Sequence, residues 1–171
     1  MNRNELYLKT AFCCMACDGE IAQEEMEKIK TLPHFRGMDL QKVLSDYLSQ
    51  LQDDGNRFLK KYLDEVKAAE LTEEEECELA SIAIQTIEVD KNIEYNEVAF
   101  FKKIRKRLKT SDEKLLDAIP ENPAVIDQIT PDDYLLPDIT DEDDLSLWDD
   151  TFGVIDYSTV GITRGVETSK N

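Results

Sequence analysis

Four carboxylates have the type and spacing to do chemistry. Asp18 and Glu25 flank one short turn and Asp90 and Glu97 flank another, each residue 72 positions from its counterpart. Ile21 matches Ile93 in the same register, so both segments read Asp-x-x-Ile-x-x-x-Glu. Hard cations such as calcium take clustered carboxylate and carbonyl oxygens. If the two segments pack about a local twofold, Asp18 and Glu25 approach Asp90 and Glu97, and Glu20, Glu24, Asn92 and Glu94 add further oxygens. The four carboxylates are the candidate ligands for calcium or another divalent cation. An EF-hand does not fit: its twelfth position needs a bidentate Glu, and counting from Asp18 or Asp90 lands on Ile29 or Phe101.

The same residues also have a purely structural reading. The Ile plugs the core and the Asp bonds its own backbone at the turn. The Glu meets unpaired amides in the first turn of a helix, an interaction of about 0.3–1 kcal/mol.

Other reactive residue types are present. Cys14-Met15-Ala16-Cys17 is formally a C-x-x-C, but a redox motif wants a βαβ context and a zinc site wants a second ligand pair. Buried structural thiols on a helix are the simpler reading. His34, the one histidine, follows Pro33 in a loop with no evident nucleophile, so a hydrolytic triad is not expected. Lys102, Lys103, Arg105, Lys106, Arg107 and Lys109 crowd the end of a helix. They read as a solvated face with favourable charge at a helix C-terminus, or as a surface for an anionic partner.

The elements that must position these residues are helices. Apolar residues at helical spacing predict helices over 4–17, 24–32, 39–52, 57–71, 73–89, 95–108 and 112–119. Asp39 can cap the third. Asp53-Asp54-Gly55-Asn56 is a turn signal. Thr72-Glu73-Glu74-Glu75 is a capping box, in which the Thr hydroxyl and the Glu carboxylate satisfy each other's amides. The expected fold is all-α: a compact bundle of about seven helices with an internal helix-turn-helix duplication over residues 1–119. A mostly non-helical, acidic, Pro-containing C-terminal arm follows over 120–171.

Charge divides the chain in the same place. Residues 1–114 carry −6, residues 115–163 carry −13 with no Lys or Arg, and the last eight carry +1, which makes the net −18. This balance disfavours free nucleic acid, whose phosphates need a basic surface. No stretch approaches the roughly 20 apolar residues of a membrane span, and the first residues lack the layout of a secretion signal. A cytoplasmic protein is expected. In the arm, Val125-Ile126, Tyr134-Leu135-Leu136, Leu145/Leu147/Trp148 and Phe152-Gly153-Val154-Ile155 are regularly placed apolar anchors. They suggest docking in this molecule or in a neighbour, with self-association as one outcome.

Ala16-Cys17-Asp18-Gly19-Glu20-Ile21 with Glu24-Glu25, followed by Asp90-Lys91-Asn92-Ile93 to Glu97, resembles the TerB tellurite-resistance family and its relatives. These include the N-terminal domain of certain membrane-bound J-domain cochaperones. The family's usual first turn is Ala-Asp-Gly with a Glu seven residues after the Asp. Here Cys17 replaces the Ala, while Asp18, Gly19 and Glu25 fit. In the second turn Val89 precedes Asp90 and Lys91 stands where Gly is common, which makes the first turn the better ligand candidate.

The resemblance spans about residues 4–117. It implies an all-helical interaction or scaffold module without catalytic activity, acidic residues that bind a divalent cation, protein partners, and a link to tellurite or stress resistance and defence systems. A metal-dependent enzyme using the same carboxylates, or an acidic mimic of nucleic acid, are the competing readings.

Overall fold

The computed structural model describes residues 2–17, 23–88 and 95–118, and shows seven α-helices and no strand among them. The helices are α1 (Arg3–Ala16), α2 (Gln23–Thr31), α3 (Leu40–Asp54), α4 (Asn56–Ala68), α5 (Glu73–Glu88), α6 (Tyr95–Arg105) and α7 (Asp112–Ala118), with a 3-10 turn at Pro33–Phe35. Each starts and stops within a few residues of the sequence expectation. The C-terminal arm, 120–171, lies outside the described residues, as do Ile21, Val89 and the side chain of Val98.

Local chemistry sets the boundaries. Asn2 accepts from the Glu5 amide at 2.8 Å and opens α1. Asp39 accepts from the Lys42 amide at 3.3 Å and opens α3. The capping box before α5 is fully formed: Glu75 Oε1 accepts from the Thr72 amide at 2.9 Å, and Thr72 Oγ1 from the Glu75 amide at 3.1 Å. Gly55 separates α3 from α4 with φ of 57°, a left-handed backbone that glycine adopts without steric cost. Glu70, just past α4, takes φ of 52° without that freedom.

Helix α1 is the axis of the bundle. It packs most extensively on α5 and also touches α2, α3, α4, α6 and the 3-10 turn. Every residue from Leu6 to Cys17 is buried, not only one stripe. A helix apolar nearly all round is a buried helix, and Leu6-Tyr7-Leu8 through Cys13-Cys14-Met15-Ala16 has that composition. Its polar members are satisfied inside. Thr10 Oγ1 lies 2.6 Å from the Tyr62 hydroxyl and donates to the Leu6 carbonyl at 2.8 Å, while Lys9 pairs with Glu65 of α4.

Around this axis α3 buries Leu44, Tyr47, Leu48 and Leu51, and α4 buries Phe58, Leu59, Tyr62, Leu63 and Val66. Phe12 stacks edge-on with Phe58 at 5.8 Å between centroids. Helix α5 is enclosed on several sides, burying Leu79, Ala80, Ile82, Ala83, Ile84 and Ile87. Helices α2 and α6 each pack on both α1 and α5. Among the described residues, no helix is long and apolar enough to cross a membrane.

Candidate functional site

The two acidic turns sit in matching frames. Helix α1 ends at Ala16 and α5 at Glu88; α2 begins at Gln23 and α6 at Tyr95. Both boundaries repeat after 72 residues, leaving six-residue connections at 17–22 and 89–94. At the entry to the first, the Cys17 amide donates to the Cys13 carbonyl at 3.0 Å and its thiol to the Cys14 carbonyl at 3.2 Å, closing α1.

Of the four expected cation ligands, Asp18 and Asp90 lie outside the described residues. Glu25 and Glu97 both occupy the third residue of their helices, α2 and α6. The side chain of Glu25 is outside the described set, whereas that of Glu97 is 0% exposed and engaged in polar interactions. A carboxylate at this helical position meets amides that have no partner within the helix, and its charge opposes the helix dipole. Burial of the Glu97 carboxylate was not legible in the sequence, where it reads as part of an acidic surface. Among the described residues, no group of three or more His, Cys, Asp or Glu side chains is placed to hold a metal.

The matched helices differ further along. Lys30 of α2 is exposed beside Glu27 at 3.4 Å. Its counterpart Lys102 is 0% exposed, and Lys103 is 1% exposed. Arg107, also buried, folds back so that its Nη1 donates to the Lys103 carbonyl at 2.9 Å. The solvated-face reading of the α6 cations therefore fails at Lys102, Lys103 and Arg107. Buried lysines are rare without compensating partners, and the periodicity of α6 gave no sign that its charged residues face inward.

The remaining reactive side chains serve the fold. None of the four cysteines is in a disulfide. Cys13, Cys14 and Cys17 are buried on α1, and burial pushes the Cys13 thiol up, disfavouring the thiolate that redox and zinc chemistry require. Cys77 sits on α5 with its sulfur 3.8 Å from the Lys114 carbonyl.

His34 lies in the 3-10 turn rather than an irregular loop. Its Nε2 contacts the Glu78 carboxylate of α5, and its ring meets Tyr7 edge-on at 5.4 Å between centroids. Burial, followed by the charges of Glu75 and Glu78, pushes the Tyr7 phenol up to about 12. This arrangement pins the turn after α2 to α5. The sequence carries no local signal for a His–Glu contact across 44 residues.

Glu76 is a further buried carboxylate, with no local sequence signal that marks it as such. Glu76 Oε1 accepts from the Lys109 amide at 2.9 Å, the Thr110 amide at 2.8 Å and the Thr110 hydroxyl at 2.6 Å. It anchors the α6–α7 connection on α5. Compared with known protein families, curated proteins and solved structures, the chain shows no match.

Proposed function

We propose that the chain is a non-enzymatic interaction module of TerB-like type, whose helical body binds a protein partner and takes a divalent cation, calcium first among them, at the acidic turns. The observation that carries the reading is the shared frame of the two helix–turn–helix units, α1–α2 and α5–α6, whose boundaries repeat at the spacing of Asp18/Asp90 and Glu25/Glu97. The packing of α2 and α6 each on both α1 and α5 supports a local twofold between α1 and α5. So does the ion pair of Arg3 with Glu75 at 2.8 Å, since these two residues are themselves related by the same interval.

The resemblance of the first turn to the TerB pattern extends the proposal to tellurite or stress resistance and to multiprotein defence systems. Reading the body as a scaffold rather than an enzyme rests on its residue types: acidic turns and buried thiols, with His34 committed to Glu78.

Calcium and magnesium titration of the full chain, followed by backbone amide shifts, tests the proposal. Shifts concentrated at Asp18, Glu25, Asp90 and Glu97 at up to about 1 mM ion are expected, the range of weak extracellular-type sites. Unmoved amides at all four positions overturn the cation role. Capture of partners from the native cell, with and without calcium, tests the interaction role separately.

A further inference from the structure

We infer that α7 is a strap on α5 that swings open in the folded protein, uncovering Cys77 while the rest of the bundle stays closed. The inference does not depend on cation binding at the acidic turns.

Little holds α7 itself in place. It has seven residues, and an isolated helix shorter than about 12–15 residues is marginal in water. Among the described residues its extensive packing is on α5 alone. Leu115 is enclosed, whereas Glu113, Lys114 and Asp117 are exposed. Lys114 pairs with Glu73 at 3.0 Å, but both side chains are more than half exposed, and such a pair contributes little. The remaining polar contact is a weak one, from the Cys77 thiol to the Lys114 carbonyl at 3.8 Å.

The lead-in to α7 is held far more firmly. Glu76 Oε1 accepts from the Lys109 amide, the Thr110 amide and the Thr110 hydroxyl. Ser111 then caps α7: its carbonyl accepts from the Leu115 amide at 3.1 Å and its hydroxyl oxygen from the Lys114 amide at 3.4 Å. The cap travels with the helix, so the joint falls between Thr110 and Ser111. Segments with few buried apolar contacts open locally, well below the free energy of global unfolding.

Helix α5 can lose this cover without loosening. Glu73, Glu76 and Cys77, spaced i, i+3 and i+4, share the flank that meets α7 and its lead-in. Glu75 and Glu78 lie on the other flank, against Arg3 of α1 and His34 of the 3-10 turn. Cys77 is the natural reporter of the opening. In the closed state burial, followed by the charges of Glu73 and Glu76, pushes its thiol up and withholds the reactive thiolate. Cys13, Cys14 and Cys17 are fully enclosed in the core, so they react only when the body unfolds.

Modification of the full chain by N-ethylmaleimide, a neutral thiol reagent, tests the strap under native conditions, with peptide mapping of the four cysteines. Cys77 is expected to react while Cys13, Cys14 and Cys17 stay protected. Leu115→Ala removes the enclosed anchor of α7 and is expected to speed Cys77 modification at least about tenfold. Lys114→Gln breaks the exposed pair and is expected to speed it about two- to fivefold. An unchanged Cys77 rate in both variants would mean that the reagent reaches the thiol past a fixed α7, and overturns the inference. So does joint modification of all four thiols in the native sequence, which would mean that α7 leaves only when the whole body opens. Should Leu115→Ala unfold the body, Lys114→Gln decides alone: acceleration confined to Cys77 supports the strap, and an unchanged rate overturns it.

Discussion

Lys9 Nζ meets Glu65 Oε1 at 2.7 Å across the α1–α4 contact, and the same ammonium lies 4.9 Å from the centre of the Phe58 ring. The lysine is 3% exposed and the glutamate 27%, so one charge is enclosed and the other partly wet. Removing either partner is therefore not symmetric. Glu65→Gln leaves an enclosed ammonium with only ring faces and an amide, and is expected to cost about 3 kcal/mol, the lower end of the range for breaking a buried pair. Lys9→Met removes the charge but keeps a long stem against Phe58 and Tyr47, and is expected to cost less than about 1.5 kcal/mol. Urea unfolding of both variants checks the order; equal losses would mean that the pair itself, rather than the stranded charge, governs stability.

Glu76 makes a second test of buried charge. Its carboxylate takes two backbone amides and a hydroxyl from the α6–α7 connection. Glu76→Ala strands these donors and leaves space beneath them. An unsatisfied buried polar group costs about 1–3 kcal/mol, so a loss of about 2–3 kcal/mol is expected, larger than for Glu73→Ala at the exposed Lys114 pair. Native-state hydrogen exchange should show the Lys109 and Thr110 amides losing protection first, before the α1–α5 core. Uniform loss across the protein would instead place Glu76 in the global folding unit.

What the sequence revealed follows the range of each signal. Asp39, Gly55 and the Thr72–Glu75 box act within three or four residues, so the helix boundaries they set are readable from spacing alone. Periodicity shows which face of a helix is apolar, but not how many neighbours enclose it. Hence the stripe on α1 was visible while the burial of Lys9 and Thr10 was not: both depend on α4 arriving on the opposite side. Lys30 and Lys102 make the same point within the matched frame, since identical residues 72 apart end in opposite environments. At the acidic turns the spacing of the helices was legible. The enclosure of Glu97 was not, because it too is set by packing between helices distant in sequence.

The capping box predicts a pH response of definite sign. The Thr72 amide, then the Arg3 guanidinium, hold the Glu75 carboxyl below its ordinary value of 4.5. A carboxyl depressed on folding contributes stability that is complete above the unfolded value and lost as pH falls through the folded one. The melting temperature of the native protein should exceed that of Glu75→Gln at pH 7, with the gap closing only below about pH 4.5. Thr72→Ala removes the reciprocal hydroxyl and is expected to cost about 1 kcal/mol, a typical cap loss. A Glu75→Gln gap that persists unchanged to pH 2 would contradict the depressed carboxyl.

If the acidic turns take calcium, they should not do so equally. The first turn has Gly19 after its Asp, whereas the second has Lys91, whose ammonium opposes a bound cation. Ligand binding to the folded state stabilises by RT ln(1 + [L]/Kd), about 1.4 kcal/mol at ten times Kd. Asp18→Asn is therefore expected to remove most of the calcium-dependent rise in melting temperature, and Asp90→Asn a smaller part. Lys91→Gly should increase the rise, since it removes the opposing charge from the weaker turn. The comparison uses the calcium-dependent increment of each variant, so a change in basal stability drops out. Equal losses for Asp18→Asn and Asp90→Asn, with no gain from Lys91→Gly, would mean that the turns act as equivalent halves of one site and that the lysine points away from it.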